Sequence, residues 1–171
     1  LGVLAEWKGN DGDARRSYEA ALIAQPEFGT AVIARGRLML RAGDVEGALN
    51  YALGRMVGKK DSIPLRNALN RLRLDAERDF SAVETDSKKI LRTDEKNVDA
   101  MMNLAVVYHR AGKYELAIAV LSNAKVLDGD DPEIFYRIAL AHTALKEDIQ
   151  ARLVLEEATL LPGGATAEVY N

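Results

Sequence analysis

The densest chemistry in the sequence is YHRAGKY, residues 108–114. A histidine beside a phenol can move a proton near neutral pH, so Tyr108 and His109 read as a candidate acid–base pair. Arg110 and Lys113 would then hold an anion next to it. A second histidine, His142, lies 33 residues further on, and two imidazoles can share a metal ion. GRMVGKK (54–60) spaces Gly and Lys much as a phosphate loop does, and NDGD (10–13) and DGDDPE (128–133) group carboxylates as calcium sites do.

Each reaction demands more than its residue types. Neighbouring side chains on a helix point about 100° apart, so Tyr108 and His109 do not face one substrate. Neither histidine has an HExxH or comparable carboxylate spacing around it. GRMVGKK has three residues between its glycines instead of four, and Lys60 stands where Ser or Thr would hold magnesium. Neither acidic stretch continues into a calcium-loop pattern, and Asp/Gly clusters are what turns and N-caps use. The absence of cysteine removes thiolate metal sites, disulfides and cysteine nucleophiles. No catalytic residue, metal or cofactor is assigned.

The composition agrees. The 171 residues are 48% hydrophobic and 29% charged, rich in Ala, Leu, Arg and Glu, which describes a folded, helix-rich chain. A net charge of −3 gives no basic excess for nucleic acid. No run approaches the ~18–20 apolar residues that span a bilayer. LGVLAEWKG at the N-terminus has neither a basic n-region nor a cleavage site, so no signal peptide is visible, and the compartment stays open between cytoplasm and periplasm.

What positions these residues is a repeat. Aligning 98–131 with 132–165 superposes Ala117 on Ala151, Leu121 on Leu155, Ala124 on Ala158 and Leu104 on Ile138. Gly43 and Ala48, and before them Gly9 and Ala14, take the places of Gly112 and Ala117. Within a unit, Met101, Leu104, Ala105 and Tyr108 form one helical stripe and Tyr114, Ala117, Ile118, Leu121 and Ala124 another, with Gly112 in the turn. Each unit is an antiparallel helix pair that needs its neighbours to bury its apolar face.

This spacing resembles the tetratricopeptide repeat (TPR). Met101, Leu104, Ala105, Tyr108, Gly112, Tyr114, Ala117, Leu121 and Ala124 fit its pattern, with the expected proline displaced to Pro132. The resemblance implies an all-α, right-handed superhelical solenoid of about four and a half repeats: a partial one over 1–28, then 29–63, 64–97, 98–131 and 132–165, and a stub at 166–171. The unit 64–97 is degenerate, with Asn70 and Arg71 in place of the Leu-small pair and no turn glycine; RNALNRLRLDAERDF is expected to run as a longer, more continuous helix. A local change of twist is expected there. Both ends cut through a first helix, so the chain reads as an excerpt of a longer array.

The resemblance also implies a non-enzymatic scaffold that takes a partner protein or peptide in a concave groove, with no cofactor. The groove positions are Ile33, Arg37 and Arg41, then Met102, Asn103, Val106, His109 and Arg110, then Tyr136, Arg137 and Leu140. They mix apolar anchors with carboxylate- and amide-recognising groups. The carboxylate clamp of chaperone-binding repeats is broken: Ala68 and Leu72 stand at its first two positions, and Glu133 replaces a lysine. An alternative is head-to-tail self-association through the uncapped ends, giving a homo-oligomer. A fainter resemblance to bacterial envelope and gliding-motility TPR lipoproteins extends the expectation to a larger envelope complex.

Overall fold

The computed structural model describes residues 2–161. These form α1 (Gly2–Trp7), α2 (Asp11–Ala24), α3 (Gly29–Arg41), α4 (Val45–Arg55), α5 (Ile63–Asp75), α6 (Phe80–Thr93), α7 (Val98–Arg110), α8 (Tyr114–Leu127), α9 (Pro132–Ala144) and α10 (Asp148–Thr159), with no strand among the described residues. The expected stub at 166–171, and Leu1, lie outside them.

The acidic stretches are helix starts. Asn10 accepts from the Asp13 N–H at 3.0 Å, Asp44 from the Gly47 N–H at 2.8 Å, and Asp131 from the Glu133 N–H at 2.9 Å. Each satisfies a first-turn donor that the helix itself leaves open. The turn within YHRAGKY is a helix stop: Gly112 takes φ +71° while its N–H donates to His109 and the Lys113 N–H to Tyr108, at 3.0 and 2.9 Å. That left-handed step is what glycine adopts without penalty. In the last pair Lys146 holds the corresponding place at φ 62°, with the same two bonds from residues 146 and 147.

The pair formed by α5 and α6 corrects the sequence reading. RNALNRLRLDAERDF is not one continuous helix: α5 ends at Asp75 and α6 begins at Phe80. α5 and α7 are both 13 residues long and stand 35 apart, while α6 and α8 are both 14 long and stand 34 apart. The extra residue therefore lies in the turn 76–79, where Glu77 and Asp79 both take positive φ. Leu69 and Asn70, not Asn70 and Arg71, hold the places of Leu104 and Ala105, and both are buried. The same shift puts Asn67 and Arg71 where the sequence reading set Ala68 and Leu72. No glycine was present to reveal the offset.

The chain divides into two compact units, Leu1–Asp86 and Ser87–Asn171. In the first, Leu22, Val32, Ala52, Leu65, Leu69 and Leu72 form the main core, and Ala14, Tyr18 and Leu38 a smaller one. In the second, Met101, Met102, Leu121, Ile134, Phe135 and Ile138 pack together. Burying each large side chain contributes about 1.5–3 kcal/mol, so helices this short hold by packing, not propensity.

Candidate functional site

In the first unit the arginines expected to meet a partner already have partners. Arg37 donates through Nε to Asp75 Oδ2 at 2.7 Å, bridging α3 and α5. Arg41 reaches Glu6 Oε2 at 2.7 Å, with Asp11 further off at 3.7 Å. Asp75 also receives Arg71 at 3.3 Å. Beneath this layer the Tyr18 hydroxyl donates to Glu6 Oε1, and burial, followed by that bond and the Glu6 charge, pushes the phenol up to about 12. Arg66 and Asn70 both bond Asp86, the latter at 2.8 Å. Sequence reasoning missed these acids, although Glu6 and Asp75 sit at matching ends of their helices.

The second unit divides the expected residues. Met102 is 5% and Asn103 2% exposed, so neither is the accessible groove position expected of it. Met102 belongs to the core with Ala105 and Phe135, because α7 is enclosed on more of its circumference than its polar residues imply. Val106, His109, Tyr136 and Arg137 are half-buried, and Arg110 and Leu140 exposed. Arg137 bonds Glu133 at 2.9 Å, so the glutamate that breaks the clamp also occupies its arginine. His109 stands edge-on to Tyr114, ring centroids 5.2 Å apart. His142 bonds Glu147 at 2.7 Å through Nδ1.

Nothing here assembles a reaction centre from the histidines. His109 packs on an aromatic ring and His142 on a neighbouring carboxylate, and among the described residues no group of three or more His, Cys, Asp or Glu could hold a metal. No described helix is long and apolar enough to cross a membrane. The Tyr108 ring carries two ammonium groups, Lys88 at 5.6 Å and Lys113 at 5.9 Å from its centroid. The first unit also has an open cleft of about 570 Å³ between α1, α2 and α3, lined by Val3, Ala20, Ala21, Phe28, Ala31 and Ala34.

Stacked helix pairs with glycine-type turns, small residues at their contacts and polar side chains left at the surface of the first helices define a repeat scaffold. The tetratricopeptide-repeat family profile matches residues 8–62 and 70–132, more than half of the chain, and the chain belongs to that family. A thermophilic TPR protein of Thermus thermophilus is similar at 20% identity and TM-score 0.75 over 99% of this chain and 96% of that one. YrrB, a TPR protein with an unusual peptide-binding site, is similar at 13% identity and TM-score 0.61, over 99% and 87%. MamA is similar at 18% and 0.58, over 93% and 86%. No curated protein matches the sequence. At these identities the solved structures share the fold, and that fold supports a protein–protein interaction scaffold.

Proposed function

We propose that the chain is a non-enzymatic scaffold that holds a segment of a partner protein along its first helices, within a larger bacterial complex. One observation carries this reading. In the second unit α7 and α9 share a core through Met102, Ala105, Phe135 and Ile138, yet leave Val106, His109, Arg110, Tyr136, Arg137 and Leu140 at least partly accessible. Spacings of three and four residues set these on one face of each helix. A mixture of aromatic, aliphatic and guanidinium groups is what protein interfaces favour. The peptide-binding site described for YrrB lends the same reading support by analogy of fold.

In the first unit Arg37 and Arg41 take part by exchanging a carboxylate: a partner's acid replaces Asp75 or Glu6. Met102 and Asn103 act from beneath, shaping the surface instead of touching the partner. The test is affinity capture with quantitative mass spectrometry, comparing the unaltered protein with Arg37→Glu/Arg110→Glu. Loss of specific partners by a variant whose circular dichroism shows it still folded is the expected result, with a small drop in melting temperature from the broken Arg37–Asp75 pair; an unchanged partner set overturns the reading.

Self-association is a second reading, favoured by the apolar cleft between α1, α2 and α3. Light scattering across a dilution series separates the two. A mass that stays monomeric at every concentration removes self-association.

A further inference from the structure

The second helix of each pair turns an outer face to solvent. Counting from its first residue, the second, sixth and thirteenth places are exposed in α2, α4, α6, α8 and α10 alike. Their exposure follows from how the pairs stack, not from nearness to a chain end. α6 fills these places with Ser81, Thr85 and Arg92, and α4 with Glu46, Asn50 and Val57. α10 fills all three with aliphatic residues, Ile149, Leu153 and Leu160, of which Ile149 is 66% and Leu153 54% exposed. α8 adds Leu116 and Val126, 50% and 85% exposed. Lys125 of α8 bonds Glu157 of α10 at 2.5 Å, so the two outer faces adjoin. Contiguous exposed apolar surface of this kind marks an interaction site.

The charge around these faces selects the occupant. Residues 114–161 contain nine Asp and Glu against four Lys and Arg. Three of those cations are already held by glutamates: Lys125 by Glu157, Arg137 by Glu133 and Arg152 by Glu156. Glu115 and Asp148, in the first turns of α8 and α10, and Asp128 and Asp130, after α8, form no ion pair among the described residues. We propose that the adjoining outer faces of α8 and α10 dock a basic amphipathic helix of a partner protein. Its aliphatic side chains pack on Ile149, Leu153 and Val126, and its Lys or Arg side chains meet Glu115, Asp128, Asp130 and Asp148. The proposal goes beyond the scaffold reading above, which concerns the first helices. A helix suits the face because its own aliphatic side chains recur at the spacing of Ile149 and Leu153. The same acids repel a nucleic acid or an anionic lipid surface. A second copy pairing face to face would set like charges together.

The experiment is fluorescence anisotropy on the full chain with three labelled helical peptides of equal length: an amphipathic Leu/Lys peptide, its Leu/Glu counterpart, and a Lys/Gln peptide without aliphatic side chains. The Leu/Lys peptide is expected to bind, more weakly as salt rises, and the other two about tenfold or more weaker. Ile149→Gln/Leu153→Gln should lose the Leu/Lys peptide by a similar factor. Asp128→Asn/Asp130→Asn should weaken it by a smaller one and flatten the salt dependence. Val57→Gln, at the matching thirteenth place of α4, should leave binding unchanged. Circular dichroism verifies that each variant folds; all five positions are exposed. Equal binding of the Leu/Lys and Leu/Glu peptides, no binding of either, full retention by Ile149→Gln/Leu153→Gln, or an equal loss in Val57→Gln each overturns the proposal. Sedimentation at the assay concentration tests the remaining occupant: a dimer that Ile149→Gln/Leu153→Gln dissociates would assign the face to a second copy and overturn it too. If captured partners still depend on Arg37 and Arg110 while the Leu/Lys peptide fails to bind, the proposal falls and the scaffold reading stands.

Discussion

Arg41 reaches back across 35 residues of sequence to Glu6, Nη2 to Oε2 at 2.7 Å, and so ties α3 to α1. Glu6 is shared, because its other oxygen accepts the Tyr18 hydroxyl of α2. One carboxylate thereby joins three helices. Arg41 is half-exposed, so the pair itself contributes modestly. A double-mutant cycle of Arg41→Met and Glu6→Gln, read by urea unfolding, should give a coupling of about 0.2–1 kcal/mol that shrinks as salt is added. A larger, salt-insensitive coupling would mean that the pair is better shielded from water than its exposure shows.

The same network sets an alkaline limit. Burial first, then the bond to Glu6 and its charge, raise the Tyr18 phenol from near 10 to about 12. Above pH ~10 the unfolded chain releases this proton and the folded chain keeps it, so ionisation favours unfolding. The contribution is complete below pH ~10 and is lost as pH rises towards ~12. Urea midpoints taken from pH 8 to 11 should fall in the unaltered protein, and Tyr18→Phe should remove the part of the fall that Tyr18 supplies. An identical slope in both proteins would count against this assignment.

Ser87 lies at the place that Leu121 fills in α8, is 0% exposed, and its hydroxyl has no hydrogen-bond partner. A buried hydroxyl left unpaired costs roughly 1–3 kcal/mol, against the small packing loss of one oxygen. Ser87→Ala should therefore be neutral or stabilising by up to about 1 kcal/mol. Asn70→Ala, which removes a bond to Asp86 and opens a cavity, should destabilise by about 1–3 kcal/mol. Chemical denaturation compares the two directly, and a destabilised Ser87→Ala would show that the hydroxyl does have a partner.

Gly36 meets Leu72 where α3 and α5 approach closely. A Cβ built on Gly36 falls 2.5 and 2.6 Å from the two Leu72 methyls, which are themselves fully buried. Alanine gains about 1 kcal/mol of helix propensity over glycine. Overpacking a closed core typically costs about 1–3 kcal/mol. Packing wins, so Gly36→Ala should lower the unfolding free energy by about 1 kcal/mol or more. A stabilised variant would show that Leu72 has room to turn aside.

The helix pairs were legible because small residues, turn glycines and apolar stripes recur at a fixed spacing, and Ala105, Gly112, Ala117 and Ala124 do in the structure what their spacing implies. The register of α5 was not, because its extra turn residue is accommodated by Glu77 and Asp79 at positive φ instead of by a glycine. At the candidate site, residue type alone misplaced Met102 and Asn103, since whether a polar residue meets solvent depends on how many neighbours enclose its helix. The ion pairs were hidden for a similar reason: Arg37 and Asp75 are 38 residues apart, and only the stacking of α3 on α5 joins them.

Lys146 occupies the turn place that Gly112 holds one repeat earlier, and both take a left-handed backbone, φ 62° and 71°. For a residue with a Cβ that conformation costs roughly 1–2 kcal/mol. Glycine relieves it but returns about 0.4–1 kcal/mol to the unfolded chain as entropy. Strain exceeds entropy, so Lys146→Gly should stabilise by about 0.5–1 kcal/mol, whereas Gly112→Ala should destabilise by about 1 kcal/mol or more. Thermal and urea unfolding of the two variants should move in opposite directions. If Lys146→Gly lowers stability instead, the lysine side chain contributes more to the end of α9 than its backbone strain removes.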